Sequence, residues 1–571
     1  MMELALPAEF RPNEFPAATR EQWREMVDAV LSKTGASFES LITKTYDGIE
    51  LQPLYTLDDA PPVPYALAPV KQGWDVRQRH SVPDPVALMN DLEGGVTSLW
   101  LAVPASSLER LLDGVYLDLA PIVLDGDVEA ARTMLRIYDQ APLLPDQVRG
   151  NLALTPSGDA LDVIRQAGEQ FPNLRTVVVD ALPFHDAGGS DSEELGASLA
   201  LAVSHLRALT DAGLSVAQAF AQLEFRYAAT ADQFMTIAKL RAARRLWARV
   251  AEVSGADVPQ VQHAVTSSAM MTRRDPWVNM LRTTVATLAA GLGGADSVTV
   301  QPFDAAIGLP DEFARRIARN TQNLLLEESH LGEVIDPAAG SWYVEKLTDE
   351  LAAAAWSWFQ EIERAGGFFA ARELVASRIA ATWAARSARI ADRSDPITGV
   401  SEFPNLAEKP VVREPAPELA TGGLPRIRYA QAFEELRDLA DAQPERPQVF
   451  LATLGPVAAH TARATFAANL FNAGGFATPN AGPTKTPEDV AEKFRASGAR
   501  IAVICGSDSS YADQAVPTEE ALRKAGAERV LLAGKKTDAK VDGFVHLGCP
   551  ALEILNNTFD FLAIKSNGVE R

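Results

Sequence analysis

Cysteine is scarce: the 571-residue chain holds two, Cys505 and Cys549. That excludes a disulfide framework and a four-cysteine zinc site, and it agrees with a reducing compartment. Long apolar runs are also missing. No stretch approaches the roughly 18 residues needed to cross a bilayer, and the opening MMELALPAEFRPNEF lacks the basic and apolar regions of a secretory signal. The expectation is a cytoplasmic protein without membrane contact. Basic tracts are lacking too: 53 Lys and Arg stand against 75 Asp and Glu, a formal charge of −22. This argues against nucleic acid as a partner. The acidity is spread along the chain, so an anionic ligand would need a local basic patch. Histidines number only seven, and His80, His205, His263, His330 and His546 show no metal-ligand spacing with one another.

What is present is material for several cores: 47% of residues are hydrophobic, and the length suggests two to four domains. Residues 1–35 read as a proline-bearing arm and an amphipathic helix, with Trp23, Met26, Val27 and Val30 at helical spacing. That helix either caps its own domain or contacts another subunit. Over 36–395, β-rich runs alternate with long helical patterns. Strands are expected at 97–103, 114–120, 174–181, 221–230, 261–268, 297–304 and 332–340. The alternation fits a (β/α)8 TIM barrel with trailing helices, with seven strands visible of eight. Residues 396–445 are rich in Pro, Gly and charge without periodicity, which reads as a linker.

Residues 446–571 contain about five strand–helix units: QVFLATL, GGFATPN, RIAVICGS, ERVLLAG and GFVHLG. They predict an open α/β sheet of flavodoxin-like size, whose ligand would lie beyond the carboxyl ends of the strands. His460, in GPVAAHTARATFAANLFNAGGF, stands in the first such loop. It is either a ligand residue or part of the first helical turn. Gly291-Leu292-Gly293-Gly294 reads as a helix C-cap, and Asp275-Pro276 as a helix start with Asp275 as N-cap. In AKLRAARRLWARV the Leu and Trp positions are expected in the core, and the arginines solvated or salt-bridged.

Several segments, in order, resemble the barrel of methylmalonyl-CoA mutase: DQFMTIAKLRAARRLWA, MMTRRDPWVNMLRTTVATLAAGLGGADSV, FDAAIGLPDEFARRIARNTQNLLLEESH and IDPAAGSWYVEKLTDEL. The resemblance covers almost the whole chain. It implies a barrel that takes an acyl-CoA along its axis and a flavodoxin-like, cobalamin-binding-type domain that holds adenosylcobalamin against the barrel mouth, the cofactor carrying the radical chemistry.

In the family's catalytic chains an Asp-x-His-x-x-Gly motif supplies the lower axial histidine to cobalt. Matched to this sequence, His460 takes the histidine position, Ala458 the aspartate position and Arg463 the glycine position. Losing the orienting carboxylate costs a metal site roughly 10–100-fold in affinity. Arg463 adds bulk where only a hydrogen fits, and the residues around His460 favour a helix that would cross the space of the cofactor's tail. His460 is therefore expected as a surface or capping residue at a degenerate axial-ligand position. The family's Ser/Gly-rich loop matches residues 505–514, with Asp508 and Tyr511 intruding, and its Gly-Gly loop matches Leu532 to Lys536.

The barrel entrance departs from the family as well. In PVKQGWDVRQR, Trp74, Arg77 and Gln78 match, but Pro69 and Arg79 replace tyrosines and Gln72 replaces the arginine that holds the substrate carboxylate. A neutral glutamine cannot form that bidentate clamp. The family's Tyr-His pair falls on Leu182 and Pro183, with His185 two positions later. His185 is either a general acid at the mouth or a loop histidine paired with Asp186 or backbone. Arg282 and Gln322 either support the barrel or contact CoA.

With two sites degraded in separate units, the resemblance implies the small, non-catalytic chain of a heterodimeric mutase. No residue here would be catalytic. The large catalytic chain would be its partner and the holder of adenosylcobalamin, and the complex would interconvert methylmalonyl-CoA and succinyl-CoA. The resemblance leaves open whether a GTPase chaperone of the complex docks on this chain or only on the catalytic one. The rival readings are an active cobalamin-dependent mutase for a different acyl-CoA and a regulatory acyl-CoA-binding module.

Overall fold

The computed structural model describes residues 18–61, 73–417, 421–535 and 537–564. The arm before residue 18, Pro69, Gln72 and Lys536 lie outside the described residues.

Eight parallel strands close a barrel: β1 Asp75–His80, β2 Ser98–Leu101, β3 Ile122–Leu124, β4 Gly150–Asn151, β5, β6 Leu223–Ala229, β7 Gln262–Thr266 and β8 Ser297–Thr299. Strand β5 comes in two pieces. Leu174–Arg175 pairs with β4, and Val177–Asp180 pairs with β6, so a break at Thr176 lets one strand serve both neighbours. The expected strand at 114–120 is a run of turns, and the strand forms instead at Ile122–Leu124. The segment 332–340 is a 3-10 turn and loop, because Pro337 and two glycines break any ladder. The strands not foreseen are β1, β3 and β4, the last two only three and two residues long.

Long helices form where their ends are well specified. Helix α1 Arg20–Thr34 has a Thr19/Gln22 capping box and a left-handed Gly35. Helix α2 Asp191–Asp211 starts from a Ser190/Glu193 capping box, and helix α3 Gln233–Ser254 starts with Asp232 as N-cap and ends at left-handed Gly255. Helix α4 Val278–Leu292 ends at Gly293 as the sequence predicts. Its start differs. Asp275 is left-handed (φ 45°), and its amide donates to Glu408 at 2.6 Å rather than its side chain capping the helix. Helices α5 Trp342–Arg364 and α6 Arg372–Ala391 trail the barrel, with α5 packed on α2 and α3. In α3, Leu240, Leu246 and Trp247 are core, while Arg241 is fully buried and joined to Asp336 and Glu345.

The segment expected as a linker, 396–445, holds a helix at Gln431–Asp441, and parts of it touch the barrel's carboxyl-terminal face. Leu309 N donates to Glu414 O (2.7 Å), Ile427 N to Asp186 O (2.8 Å) and Tyr429 N to Ala269 O (2.9 Å). Arg274 reaches Glu408 and Asp441, and Arg437 reaches Glu408, so charged pairs tie the barrel to the segment ahead of the carboxy-terminal sheet.

That unit is a parallel sheet of β9 Phe450–Thr453, β10 Ile501–Cys505, β11 Arg529–Ala533 and β12 Gly543–Val545. The expected fifth strand, GGFATPN, runs beside β9 through single bridges and amide bonds at Ala477, Pro479 and Ala481. Pro479 has no N–H to continue the ladder. With that segment counted, the order is 2-1-3-4-5, the flavodoxin-like arrangement, and the switch point lies beyond the ends of β9 and β10.

Candidate functional site

Beyond β9 the chain turns at Gly455 and enters helix α7 Val457–Ala473 at once. Ala458 and His460 therefore sit inside the helix, not on a loop over the sheet. His460 is 5% exposed, and Nδ1 lies 3.4 Å from Leu454 O. The expected surface histidine is buried, because the early helix start turns its ring back toward β9. No carboxylate stands where the orienting aspartate would be, since Ala458 holds that place in the helix.

The switch point itself is filled. Arg463 Nη1 donates to Gly506 O (2.8 Å), its other nitrogen pairs with Asp508, and its guanidinium carbon lies 4.7 Å from the Tyr511 ring centre. Tyr511, on helix α8 Asp508–Lys524, donates to Ala533 O (2.7 Å) and accepts from Gly506 N (3.0 Å). Burial pushes its phenol up to about 12, so it stays a donor. A Cβ built on Gly534 would meet Tyr511 at 3.4 Å and Arg463 at 3.7 Å. The ends of β10 and β11 are thus bridged by one Arg–Tyr pair where a nucleotide tail would have to enter. These residues do not fit cobalamin. Ser507 is the N-cap of α8, bonded to Ser509 (2.9 Å) and Ser510 (2.8 Å), and behaves as an ordinary strand-to-helix loop. Among the described residues no group of three His, Cys, Asp or Glu could hold a metal ion.

The barrel axis is packed rather than open. Arg77 pairs with Glu224 across the barrel and donates from Nε to Ser98 Oγ (3.0 Å). Burial would raise the Glu224 carboxyl, but Arg77 outweighs it and holds the group below its ordinary range. His263 lies 2.8 Å from Thr299 Oγ1 and meets Trp100 edge-on at 5.3 Å. Arg226, 1% exposed, pairs with Asp125 (3.2 Å) and Asp180 (2.9 Å) and lies 4.1 Å from the Trp100 ring centre. These paired side chains occupy the barrel axis in this conformation.

His185 is buried in the short helix Leu182–Asp186. Nε2 lies 2.6 Å from Ser267 Oγ and Nδ1 lies 3.8 Å from Glu194, so the partners are neither Asp186 nor backbone. Burial, aided by Lys239, lowers it to about 3, which keeps the ring neutral and unfit as a general acid near neutral pH. It lines a side cavity with Asp191 and Arg386, not the cavities at the mouth. Trp74 Nε1 donates to Gln322 Oε1 (3.0 Å) inside the barrel wall, and Arg282 joins Asn279 to Thr398 O. Gln322 thus packs inside the barrel wall, while Arg282 also lines the side cavity that holds His185. Sequence reasoning missed Trp100, Asp125, Asp180 and Arg226. The signal was there: Glu224 and Arg226 alternate within LEFRYAA, the period that sends strand residues to one face.

A sequence profile of the family described as methylmalonyl-CoA mutase matches residues 150–462. The methylmalonyl-CoA mutase small subunit of Streptomyces virginiae is 55% identical, over 96% of this chain and 98% of that protein. That of Propionibacterium freudenreichii subsp. shermanii is 36% identical, over 96% of each. The methylmalonyl-CoA mutase of Escherichia coli K12 is 28% identical over 62% of this chain. With the barrel, the flavodoxin-like sheet and these matches over nearly its full length, the chain belongs to the methylmalonyl-CoA mutase family.

Proposed function

We propose that this chain is the small, non-catalytic subunit of a heterodimeric, adenosylcobalamin-dependent methylmalonyl-CoA mutase, with the cofactor bound by the large subunit alone. The observation that carries the reading is the Arg463–Tyr511 bridge over the ends of β10 and β11, in the place where a cofactor's tail would lie. The packed barrel axis supports it independently. Fold and assembly can outlast catalysis, because neither needs the ligand residues.

Helix α1 supports a partner. None of its residues is buried, and Met26 and Val30 are 72% and 61% exposed on the stripe that also carries Trp23 and Val27. An amphipathic helix whose apolar stripe is only partly covered, Trp23 against Phe38, is poorly stabilised alone. A cytoplasmic setting suits the two free cysteines, and no helix among the described residues is long and apolar enough to cross a membrane.

The chain purified without its partner is expected to carry no cobalamin absorbance and to turn over no methylmalonyl-CoA. Mixed with the large subunit it should form a one-to-one complex on gel filtration. Bound cobalamin or turnover in the isolated chain would favour an active mutase instead. Saturable acyl-CoA binding without either would favour a regulatory module.

A further inference from the structure

The side cavity beside His185, of about 600 Å³, lies where the starts of α2, α3 and α4 meet the flank of α6. It shares no lining residue with the cavities at the barrel mouth. Five charged side chains line it: Asp47, Asp191, Asp232, Arg282 and Arg386. Two of them are committed. Asp191 pairs with Lys239 at 2.8 Å, and Arg282 donates to Thr272, Asn279 and the Thr398 carbonyl. Arg386, Asp47 and Asp232 remain, and none has an oppositely charged partner among the described residues.

Arg386 makes no hydrogen bond to a described residue. Its guanidinium carbon lies 4.1 Å from the Tyr46 ring centre and 5.1 Å from that of Tyr429. Two phenol rings thus hold the cation in place without using its N–H groups. Its Nε is buried, so the terminal nitrogens are the part a ligand in the cavity can reach. Asp232 caps α3 through Met235 N (3.2 Å), and Asp47 accepts from Ser192 N (2.8 Å). Burial and the neighbouring Asp191 push both carboxyls up, so a cation beside them would be stabilised. Arg386 acts on Asp232 through space, yet the two form no ion pair, so opposite charges stand apart in one cavity. The wall they share is apolar, with Met235, Met270, Val278 and Val285.

We propose that this side cavity binds a small aliphatic amino acid as its zwitterion. The carboxylate is held by the terminal nitrogens of Arg386 and the ammonium by Asp232 and Asp47, while the side chain lies against Met235, Val278 and Val285. A simple anion would meet Arg386 but would also face two unpaired carboxylates. A simple cation would meet the carboxylates and leave Arg386 unpaired. A ligand carrying both signs pairs each group and adds no net charge to a half-apolar site. Guanidinium on carboxylate and ammonium on carboxylate are both charge-assisted, the stronger class of hydrogen bond. The volume is that of an ordinary small-molecule site.

The test uses the assembled two-subunit complex with L-valine and L-methionine, followed by calorimetry and ligand-observed NMR. Isobutylamine, which is valine without its carboxylate, and isovalerate, which is valine without its ammonium, are the comparisons. At least one amino acid should bind saturably, and both comparisons about tenfold more weakly or worse. Arg386→Gln should weaken the amino acid about tenfold or more, and Asp232→Asn, which still caps α3, about three- to tenfold. Absence of saturable binding by both amino acids, or binding unchanged in either variant, overturns the site. Isobutylamine or isovalerate binding as tightly as valine overturns the zwitterion. Neither result touches the non-catalytic reading, which rests on the carboxy-terminal unit.

Discussion

Replacing Lys239 by methionine is expected to destabilise the barrel by about 3–5 kcal/mol, the range for removing one partner from a buried ion pair. Lys239 is fully buried. Its Nζ lies 2.7 Å from Glu194 and 2.8 Å from Asp191, and Glu194 also accepts from Ala228 N at 2.8 Å. These contacts tie α2, α3 and the end of β6 together beside His185. Burial pushes the Glu194 carboxyl up to about 7 even with Lys239 in place, while Asp191 is held below its usual range because Lys239 outweighs its own burial. Methionine fills most of the space, so the loss reports uncompensated charge rather than a cavity. Protonation of Glu194 relieves part of the loss, which should therefore be larger at pH 8 than at pH 6. For a unit of this size the thermal midpoint should fall by roughly 4–7 °C. Adding Glu194→Gln to the same chain should recover much of it. A midpoint within about a degree of the unchanged protein would mean the triad contributes nothing.

A second large effect should appear in acid. His80 and His205 are lowered to about 4 and His185 to about 3, each chiefly by burial, and His263 is lowered well below its ordinary value for the same reason. Unfolded, each ring titrates near 6.5. Below that pH the unfolded chain gains protons that the folded chain refuses. The stability these rings lend is complete above pH 6.5 and is lost as pH falls toward their folded values. Carboxyls raised by partial burial, among them Asp180, Asp186 and Asp296, act in the opposite sense by taking up protons in the folded state. The net curve mixes the two, so a single ring must be isolated. His205 suits this: burial is the sole cause of its shift, and it faces Phe369 at 6.4 Å. Relative to the unchanged chain, His205→Leu should gain about 2 kcal/mol between pH 7.5 and pH 5. A difference that stays constant with pH would mean that the ring is protonated inside the fold.

Helices were legible in the sequence because their signals are local. Gly293 ends α4 where the glycine run predicts it, and Ser190 with Glu193 and Asp232 are end signals of the same local kind. The short strands were not. Gly150–Asn151 is too brief to carry a period of two, and Ile122–Leu124 follows a more strand-like run that forms turns. Asp275 misled for a tertiary reason: Glu408, 133 residues away, claims its amide. In the carboxy-terminal unit, residue identity showed that Arg463 and Tyr511 stand in unusual places, but not that they meet. His460 was misjudged because whether it lies on the surface or inside depends on where α7 begins, and helix boundaries are the least certain feature of a sequence. The barrel axis was illegible altogether, since filling it requires knowing which residues of six strands point inward.

The account stands or falls on the cobalamin content of the complex purified with its large subunit, before and after His460→Ala. One cofactor per heterodimer, unchanged by the substitution, is the predicted result: the buried ring beside Leu454 is helix packing, and this chain holds no cobalt. Two cofactors per heterodimer, falling to one on substitution, would contradict it and place a working axial ligand at His460.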